Sequence, residues 1–322
     1  MALKWPWRKL PLPSPAQRGD RLRLILHAKA AMRHGVRVAV ERLREQGHDI
    51  EVRVTWEPGD VEHFSEDAAR DYRFKTVVAA GGDGTVNAVV SGLLGSGEDY
   101  LPSLAILPMG TANDFARACS IPADQPLAAL ELAVNERAVP VDVGLVNNRY
   151  FLNVATGGFG TDITVNTPSE LKKVLGRAAY LLTGLSQPSS ISARQASIEG
   201  PDFSWSGGFL ALAVGNGRFA GGGVPMCEHA IINNGKFELS ILPEITYADI
   251  PNVLVNLLDF GFGSEVVEAH MVRAQAHEFT VRSETPLQIN LDGEPMESTS
   301  FHFEVLSQAI RLHLPPETDI IR

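Results

Sequence analysis

The first half of the chain alternates between short apolar runs and longer stretches in which apolar residues recur at helical spacing. The apolar runs predict strands at 22–26, 49–55, 76–80 and 104–107. The helical spacing predicts helices at 36–46, 61–72 and 86–94, and another from Asn113 onward. Such alternation is typical of a doubly wound, mostly parallel α/β sheet.

The pattern changes near Pro140, where short apolar segments begin to be separated by turn residues. Runs at 141–146 and 150–155 flank the dipeptide Asn147-Asn148 and predict a β-hairpin. One helix is predicted in this half, at 169–185, because Ser169 supplies a capping signal after a proline. The second half is therefore expected to be mostly antiparallel β structure.

These patterns divide the chain into parts with different expected structures. We expect a flexible basic tail at 1–20, an α/β domain at 21–139 and a β-rich domain at 140–309. Residues 1–24 hold six Lys or Arg residues and one acid, together with Trp5 and Trp7. This segment is interpreted either as a solvated tail or as a weak interfacial anchor, although Pro6 interrupts any amphipathic helix.

Charge and cysteine content exclude several classes of protein. The 322 residues carry a net charge of −10, which argues against broad nucleic-acid binding and against a general attraction to anionic membranes. Two cysteines, Cys119 and Cys227, are too few for a disulfide framework or a zinc site. No apolar run reaches the length of a spanning helix, and the first 15 residues lack a secretory signal, so a cytoplasmic location is expected.

The strongest local motif is a buried strand that runs into Gly81-Gly82-Asp83-Gly84-Thr85 and out into a helix. Glycines let the backbone approach a phosphate, and the N-terminus of the helix supplies free N–H groups. The carboxylate of Asp83 would repel phosphate unless a divalent cation lay between them, which suggests Mg²⁺ and nucleotide chemistry. The alternative is a tight turn with Asp83 as a helix cap. The motif is not a Walker A loop, because the pattern GxxxxGK[ST] is absent. It also differs from the Rossmann fingerprint, because Asn87 stands where a third glycine is required.

A second strand, turn and helix follow at 104–115. Both turns would lie at the carboxyl edge of the sheet, where α/β proteins bind ligands. Thr111, Asn113 and Asp114 serve equally well as helix caps or as ligand contacts when judged alone.

The final candidate is the acidic hairpin Leu291-Asp292-Gly293-Glu294. A turn alone would account for Asp292, whereas Glu294 would accept a proton from a substrate hydroxyl if the hairpin faced the glycine loop. The glycine pattern at 213–220 is interpreted as a loop between strands, because a glycine run and Pro225 follow where a dinucleotide fold needs a helix. The nine histidines form no zinc-hydrolase pattern.

Taken together and in order, the glycine loop, the segment LPMGTANDFA and the segment LDGEP resemble the diacylglycerol-kinase-type lipid kinases, and among them the bacterial YegS-type lipid kinases. The resemblance extends from about Leu24 to the end of the chain. It implies an N-terminal α/β nucleotide-binding domain like that of NAD kinases and diacylglycerol kinases, and a C-terminal antiparallel β-sandwich domain. It further implies that residues 310–322 return to the first domain.

The resemblance also implies roles for particular residues. Glu294 would be the general base toward the lipid hydroxyl, Asp292 would assist it, and Asp83 would organise metal and phosphate. The implied ATP contacts are Thr55, Gly81, Gly82, Asp83, Gly84, Thr85, Val86, Asn87, Ala88 and Thr111. An accessory Mg²⁺ site, or a Ca²⁺ site, would fall on Ile231, Asn234 and Lys236, the outer two through their backbone carbonyls.

The chain departs from the family pattern at three places. Ala88 replaces a glutamate in the helix after the glycine loop, and His27-Ala28-Lys29 replaces a loop that often carries an asparagine and small residues. At the accessory metal loop Asn234 replaces an aspartate, and because an amide brings no charge we predict weak Mg²⁺ binding there.

These observations favour an ATP- and Mg²⁺-dependent lipid kinase that acts on phosphatidylglycerol or a diacylglycerol-like acceptor. Its partner would be a lipid at a membrane surface, reached by peripheral and transient contact and without nucleic acid. The alternatives are a kinase of a soluble or sphingoid acceptor and a non-catalytic lipid or nucleotide sensor.

Overall fold

The computed structural model describes residues 19–158, 193–246, 248–249, 252–253, 255–256 and 261–322. The helix predicted at 169–185 and nearly all of the N-terminal tail lie outside these residues. Within them, no helix combines the length and the apolar character needed to cross a membrane.

The first half forms a parallel sheet with helices on its faces, in the strand order β4-β3-β1-β2. Its strands are β1 (Arg21–His27), β2 (Ile50–Thr55), β3 (Phe74–Gly81) and β4 (Ser103–Pro108). Its helices are α1 (Ala28–Ala31), α2 (His34–Glu45), α3 (Asp60–Arg70), α4 (Asp83–Gly95), α5 (Asp114–Ala118) and α6 (Pro126–Asn135). The predicted alternation of strands and helices is confirmed.

Burial explains why these segments form their elements. Every residue of β4 is buried, and β3 is buried except at Lys75, as expected of central parallel strands covered on both faces. In α2 the buried side chains recur at helical spacing, at Val36, Ala39, Val40 and Leu43. The chain leaves this helix through Gly47, whose φ of +96° few other residues adopt readily.

The second half is built mainly from antiparallel strands. They are β5 (Val139–Val146), β6 (Arg149–Phe151), β7 (Val154–Gly158), β8 (Arg194–Gly200), β9 (Phe203–Gly215), β10 (Phe219–Ala220), β11 (Val224–Pro225), β12 (Phe237–Pro243), β13 (Val272–Ala276), β14 (Glu278–Leu291) and β15 (Glu294–Leu312), with a 3₁₀ turn at Gly261–Gly263 and a short helix α7 (Glu265–Glu268). Successive residues of β9 enter two different cores: Leu212 and Val214 face one cluster, while Ala211 and Ala213 face another. This alternation is expected of a strand buried on both sides.

The hairpin predicted around Asn147-Asn148 is present, with Val146 paired to Arg149. The single strand predicted at 150–155 is wrong, because β6 ends at Phe151 and β7 begins at Val154. Between them the backbone N–H groups of Leu152 and Asn153 donate to the carboxylate of Asp292 instead of to a neighbouring strand. A long-range side-chain acceptor therefore interrupts the strand, and no local pattern could have indicated it.

The long strand β15 joins the two halves into one continuous sheet. It pairs with β14 and β5 in the second half, and at its end Leu312 pairs in parallel with Leu104 of β4. A bulge lies where Gln308 takes a φ of +54° and donates its backbone N–H to the buried carboxylate of Asp142. The final residues thus lie against the α/β half.

Candidate functional site

The two glycine-rich turns after β3 and β4 touch each other through their backbones. A Cβ atom added at Gly110 would lie 2.4 Å from Cα of Gly82, so the approach requires glycine at position 110. Asn113 holds the second turn closed, since its side chain accepts from the N–H of Gly110 and donates to the carbonyl of the same residue. The two predicted phosphate turns therefore form one surface at the carboxyl edge of the sheet.

Asp83 connects these turns through its side chain. Its carboxylate accepts the backbone N–H of Asp114 at 3.1 Å and that of Phe115 at 2.9 Å. It is therefore a cap, as the alternative interpretation held, but of α5 and not of its own helix. Carboxylate oxygens carry several lone pairs, so these two bonds leave Asp83 able to face a cation as well.

The start of α4 presents backbone donors at the same edge. The first N–H to bond within the helix belongs to Val86, which donates to Gly82, so the amides of Asp83, Gly84 and Thr85 have no partner inside the helix. A Cβ atom added at Gly84 would meet nothing within 4 Å, which leaves this position open to a ligand. The side chain of Val86 lies in the core, so only its backbone is available there.

The β-rich half reaches this edge through a glycine loop that sequence reasoning did not assign to the site. Gly221, Gly222 and Gly223 all have φ between +64° and +92°, in the turn that joins β10 to β11. The N–H of Gly222 donates to Oδ2 of Asp114 at 2.9 Å. This hairpin occupies the position where a dinucleotide fold would need a helix. The interpretation of residues 213–220 as a loop is correct only for 216–218, because 213–215 belong to β9 and 219–220 to β10.

Asp114, for which the sequence left a cap and a ligand contact equally open, contacts the glycine turn of the β-rich half. Its carboxylate is 4 % exposed and its Oδ1 has no partner among the described residues. Burial raises the pKa of Asp114, and the negative charge of Asp83 adds to this effect, whereas the Gly222 amide lowers the pKa. Its position before an aromatic residue in NDF gave no signal of that contact, because the partner lies more than 100 residues away.

Asp292 faces inward from its hairpin turn. The two turn residues, Asp292 and Gly293, have φ of +49° and +102°, and Leu291 pairs with Glu294 across them, as the sequence predicts for an Asp-Gly turn. The carboxylate accepts three backbone N–H groups, from Leu152, Asn153 and Val154, at 2.6–3.1 Å. A turn alone therefore does not account for this residue.

Hydrogen bonds connect Asp292 to the hairpin that reaches Asp114. Asn153 donates its backbone N–H to Asp292 and its side-chain amide to the carbonyl of Phe219 in β10, and Gly222, in the turn after β10, donates to Asp114. Burial raises the pKa of Asp292 to about 7, and the charge of Asp83 contributes to the rise, while the three backbone donors oppose it. The charge of Asp83 thus contributes to the raised pKa of both Asp114 and Asp292. The structure brings the acidic hairpin and the glycine loop together, which the sequence alone could not show.

Glu294 lies two residues beyond Asp292, at the first position of β15, and is exposed to solvent. Its neighbour in the hairpin is therefore anchored by three hydrogen bonds while Glu294 itself remains accessible. Such an arrangement fixes the backbone that carries Glu294 and leaves its carboxylate available to a substrate.

The remaining predicted nucleotide contacts are spread along the same edge. Thr55 is half-buried at the end of β2, opposite His27 at the end of β1. Thr111 is exposed in the second turn, and Ala88 is half-buried in the second turn of α4. Oδ1 of Asn87 is buried without a partner in the described part of the chain, so a ligand atom could satisfy it.

The loop predicted to hold an accessory cation fits that role poorly. Oδ1 of Asn234 already accepts the N–H of Lys236 at 3.0 Å, and the adjacent Gly235 N–H donates to buried Asp142. Ile231 is buried and Lys236 is exposed. Among the residues that the structure describes, no group of three or more His, Cys, Asp or Glu side chains is arranged to hold a metal. The donor set here is one occupied amide and backbone carbonyls, and weak cation binding at this loop stays a prediction.

Comparison with known families and structures is consistent with this geometry. Residues 21–146 match the diacylglycerol kinase catalytic domain, and residues 155–314 match the YegS C-terminal NAD kinase beta sandwich-like domain. The chain is 47% identical over 297 residues to a protein of Alcanivorax borkumensis named "Probable lipid kinase YegS-like", covering 91% of this chain and 96% of that relative.

A second relative and a solved structure extend the comparison. A protein of the same name from Pseudomonas aeruginosa is 48% identical over 304 residues, covering 94% of this chain and 97% of the relative. A crystal structure of a diacylglycerol kinase from Bacillus anthracis superposes with a TM-score of 0.72 at 21% identity, covering 93% of this chain and 98% of that one. At that identity the structure supports the fold alone.

Proposed function

The chain belongs to the YegS-like lipid kinases of the diacylglycerol kinase family, and on that premise we propose that it transfers the γ-phosphate of ATP, with Mg²⁺, to a hydroxyl group of a lipid. The observation that carries the proposal is that hydrogen bonds connect three acids: Asp83 accepts the N–H of Asp114, Asp114 accepts that of Gly222, and Asp292 is joined through Asn153 to the same β10–β11 hairpin. Each comes from a different segment, and the free amides of α4 lie next to them.

The nucleotide would lie along the turns of the α/β half. The amides of Asp83, Gly84 and Thr85 would bind phosphate oxygens, and Thr55 would contact the nucleotide further along the edge. Mg²⁺ bound with ATP would neutralise charge between the phosphates and Asp83, and the orphaned Oδ1 of Asp114 offers a second acidic oxygen in the same place. The residues present therefore fit a magnesium nucleotide.

The β-rich half would supply the acceptor side of the reaction. The hydroxyl oxygen of the lipid forms a bond to the γ-phosphorus, the bond from that phosphorus to the β–γ bridging oxygen breaks, and ADP leaves. Glu294 accepts the hydroxyl proton. Asp292 fixes the hairpin backbone that carries Glu294, so its contribution is to position the base.

The family suggests phosphatidylglycerol or a diacylglycerol-like lipid as acceptor. The competing functions are phosphorylation of a soluble or sphingoid acceptor and lipid or nucleotide sensing without transfer. Relatives named as lipid kinases over nearly the whole chain favour transfer to a lipid over transfer to a soluble acceptor and over sensing without transfer.

A panel of acceptors tests the proposal. The protein is incubated with ATP labelled in the γ-phosphate and Mg²⁺, against mixed micelles that contain phosphatidylglycerol, diacylglycerol or a sphingoid base, and against NAD in solution. Label that moves onto one of the first two lipids, and only in the presence of Mg²⁺, is the expected result. Label found solely on NAD or the sphingoid base would overturn the proposed acceptor, and no transfer by a protein that is stabilised by Mg·ATP would favour a sensor.

A further inference from the structure

Two large apolar side chains stand almost fully in solvent at the carboxyl edge of the sheet. Trp56 is 93% exposed and Met32 is 87% exposed, whereas the next large apolar residue among those described, Tyr72, is 47% exposed. Single exposed apolar residues are common on protein surfaces. A Trp and a Met that are both almost fully exposed on neighbouring segments indicate contact with another surface more strongly than one exposed residue does.

The fold places these two side chains close to each other. Met32 lies in the turn after α1, which follows β1, and Trp56 directly follows β2. The two strands end in register, since His27 pairs with Thr55, and α1 lies beside β2. Neighbouring strands lie about 5 Å apart, so the two turns form one corner of the sheet edge.

Both turns are held in place by hydrogen bonds. The carboxylate of Asp60 accepts the backbone N–H groups of Trp56 and Glu57 at 2.6 and 3.0 Å. The N–H of Met32 donates to the carbonyl of Ala28 at 3.3 Å, which continues α1 into the turn. The exposed side chains are therefore presented by ordered backbone and not by a loose loop, which reduces the entropy lost on docking.

Positive charge lies on the Met32 side of this corner, in a protein that is acidic overall. Segment 27–37 contains Lys29, Arg33 and Arg37 and no acid, although the chain carries a net charge of −10. Arg37 is paired with Glu41, but Lys29 and Arg33 are exposed and have no acidic partner within the described residues. On the Trp56 side lie two acids, Glu57, which is exposed, and Asp60, whose carboxylate holds the turn.

We propose that Lys29, Met32, Arg33 and Trp56 form an interfacial patch that docks on the surface of an anionic phospholipid bilayer. Trp and Met would enter the headgroup region while the two cations meet lipid phosphates, a combination typical of interfacial binding. The patch shares the carboxyl edge of the sheet with the glycine turns, so docking would bring that edge toward the bilayer. Only the reason for such docking, access to a lipid acceptor, rests on the proposed function.

Sedimentation with vesicles tests the patch without nucleotide or acceptor. The full chain is mixed with vesicles of phosphatidylcholine alone or of phosphatidylcholine and phosphatidylserine in equal parts, because phosphatidylserine is anionic and is not a proposed acceptor. Binding is expected to the mixed vesicles only, and to weaken as salt is raised.

Variants separate the two components of the patch. The double change Met32→Ser and Trp56→Ser should weaken vesicle binding about tenfold, and Lys29→Glu with Arg33→Glu should weaken it more, at roughly fivefold or more for each cation lost. Matched controls are Tyr72→Ser, an exposed aromatic residue before β3, and Arg42→Glu, near the far end of α2. Both controls should bind as the wild type does.

Three results would overturn the patch. The first is that the wild type does not sediment with anionic vesicles. The second is that the patch variants sediment as well as the wild type, for instance through the N-terminal tail. The third is that Trp56→Ser is no longer stabilised by Mg·ATP while its vesicle binding is intact. This result would show that the Trp56 indole contacts the nucleotide and not the bilayer. A protein that docks through the patch but labels no lipid would refute the proposed function and leave the patch standing.

Discussion

The glycine turns of the α/β half and the acidic hairpin of the β-rich half are each organised by an aspartate, Asp83 and Asp292, but different kinds of contact hold them. The turns follow adjacent strands and touch through backbone, at Gly82 and Gly110. The hairpin is held by the side chain of Asp292, which bonds to residues about 140 positions earlier in the chain. The first half is thus specified by local sequence, and the second depends on the folded core around it.

This difference suggests a division of labour in the kinase. A rigid, glycine-lined surface with free backbone amides suits a nucleotide, because the phosphate groups of every substrate molecule have the same shape and charge. In the hairpin, Asp292 is anchored by hydrogen bonds while Glu294 is exposed, and this arrangement suits an acceptor that reaches Glu294 from the solvent side. If the division is real, changes in the two halves should have separable effects on nucleotide binding, transfer and stability.

The largest effect is expected from Asp83, whose carboxylate connects the two glycine-rich turns. Asp83→Ala removes the carboxylate that would organise metal and phosphate, and we expect transfer to fall by about a thousandfold or more. It also removes the cap of α5, at a cost of about 1 kcal/mol, so the protein should remain folded. Label transfer and circular dichroism are measured on the same sample, and turnover near the wild-type rate would refute the role given to Asp83.

The buried hairpin acid should make stability depend on pH. Because the folded protein holds the pKa of Asp292 near 7, above its ordinary value of 3.8, this residue binds a proton more tightly in the folded state. Its contribution to stability is therefore greatest below about pH 4 and is lost as pH rises through 7, by at most about 4 kcal/mol.

Urea unfolding of the wild type and of Asp292→Asn at several pH values from 5 to 7.5 measures this contribution. The free energy of unfolding of the variant, relative to that of the wild type, should rise with pH. Parallel curves for the two proteins would show that Asp292 is not held as described.

The backbone contact between the turns should be sensitive to a single methyl group. Gly110→Ala places a Cβ atom 2.4 Å from Cα of Gly82, and the forced separation should cost about 3 kcal/mol. Gly84→Ala is the matched control, since its Cβ atom would meet nothing within 4 Å. Thermal unfolding should show a large shift for the first variant and a small one for the second, and equal shifts would contradict the contact.

The smallest effect is expected where β15 joins the halves. His313 is buried, its Nδ1 donates to the carbonyl of Glu136 and its Nε2 accepts from Ser103. Burial lowers the pKa of His313 to about 4 from 6.5, so stability is complete above pH 6.5 and is lost as pH falls toward 4. We expect a loss of about 2 kcal/mol between these pH values, absent from His313→Gln, and unfolding curves that fall equally in both proteins would exclude it.

Some of this structure could be predicted and some could not, for a physical reason. The α/β alternation, the glycine turns and the Asp292-Gly293 turn arise from local spacing and backbone preference, and they are present in the structure. The break between β6 and β7, the contact of Gly222 with Asp114 and the anchoring of Asp292 each join distant segments. A single sequence shows which residues could make such contacts but not which segments meet.

The most direct test of the division of labour is Glu294→Gln, a change that keeps size and removes the acidic oxygen. Label transfer from ATP to mixed lipid micelles and thermal stabilisation by Mg·ATP are measured for this variant and the wild type. The account predicts full stabilisation by Mg·ATP and a loss of transfer of about a hundredfold or more, because the nucleotide half is untouched while the base is gone. Transfer at the wild-type rate, or stabilisation lost together with transfer, would contradict it.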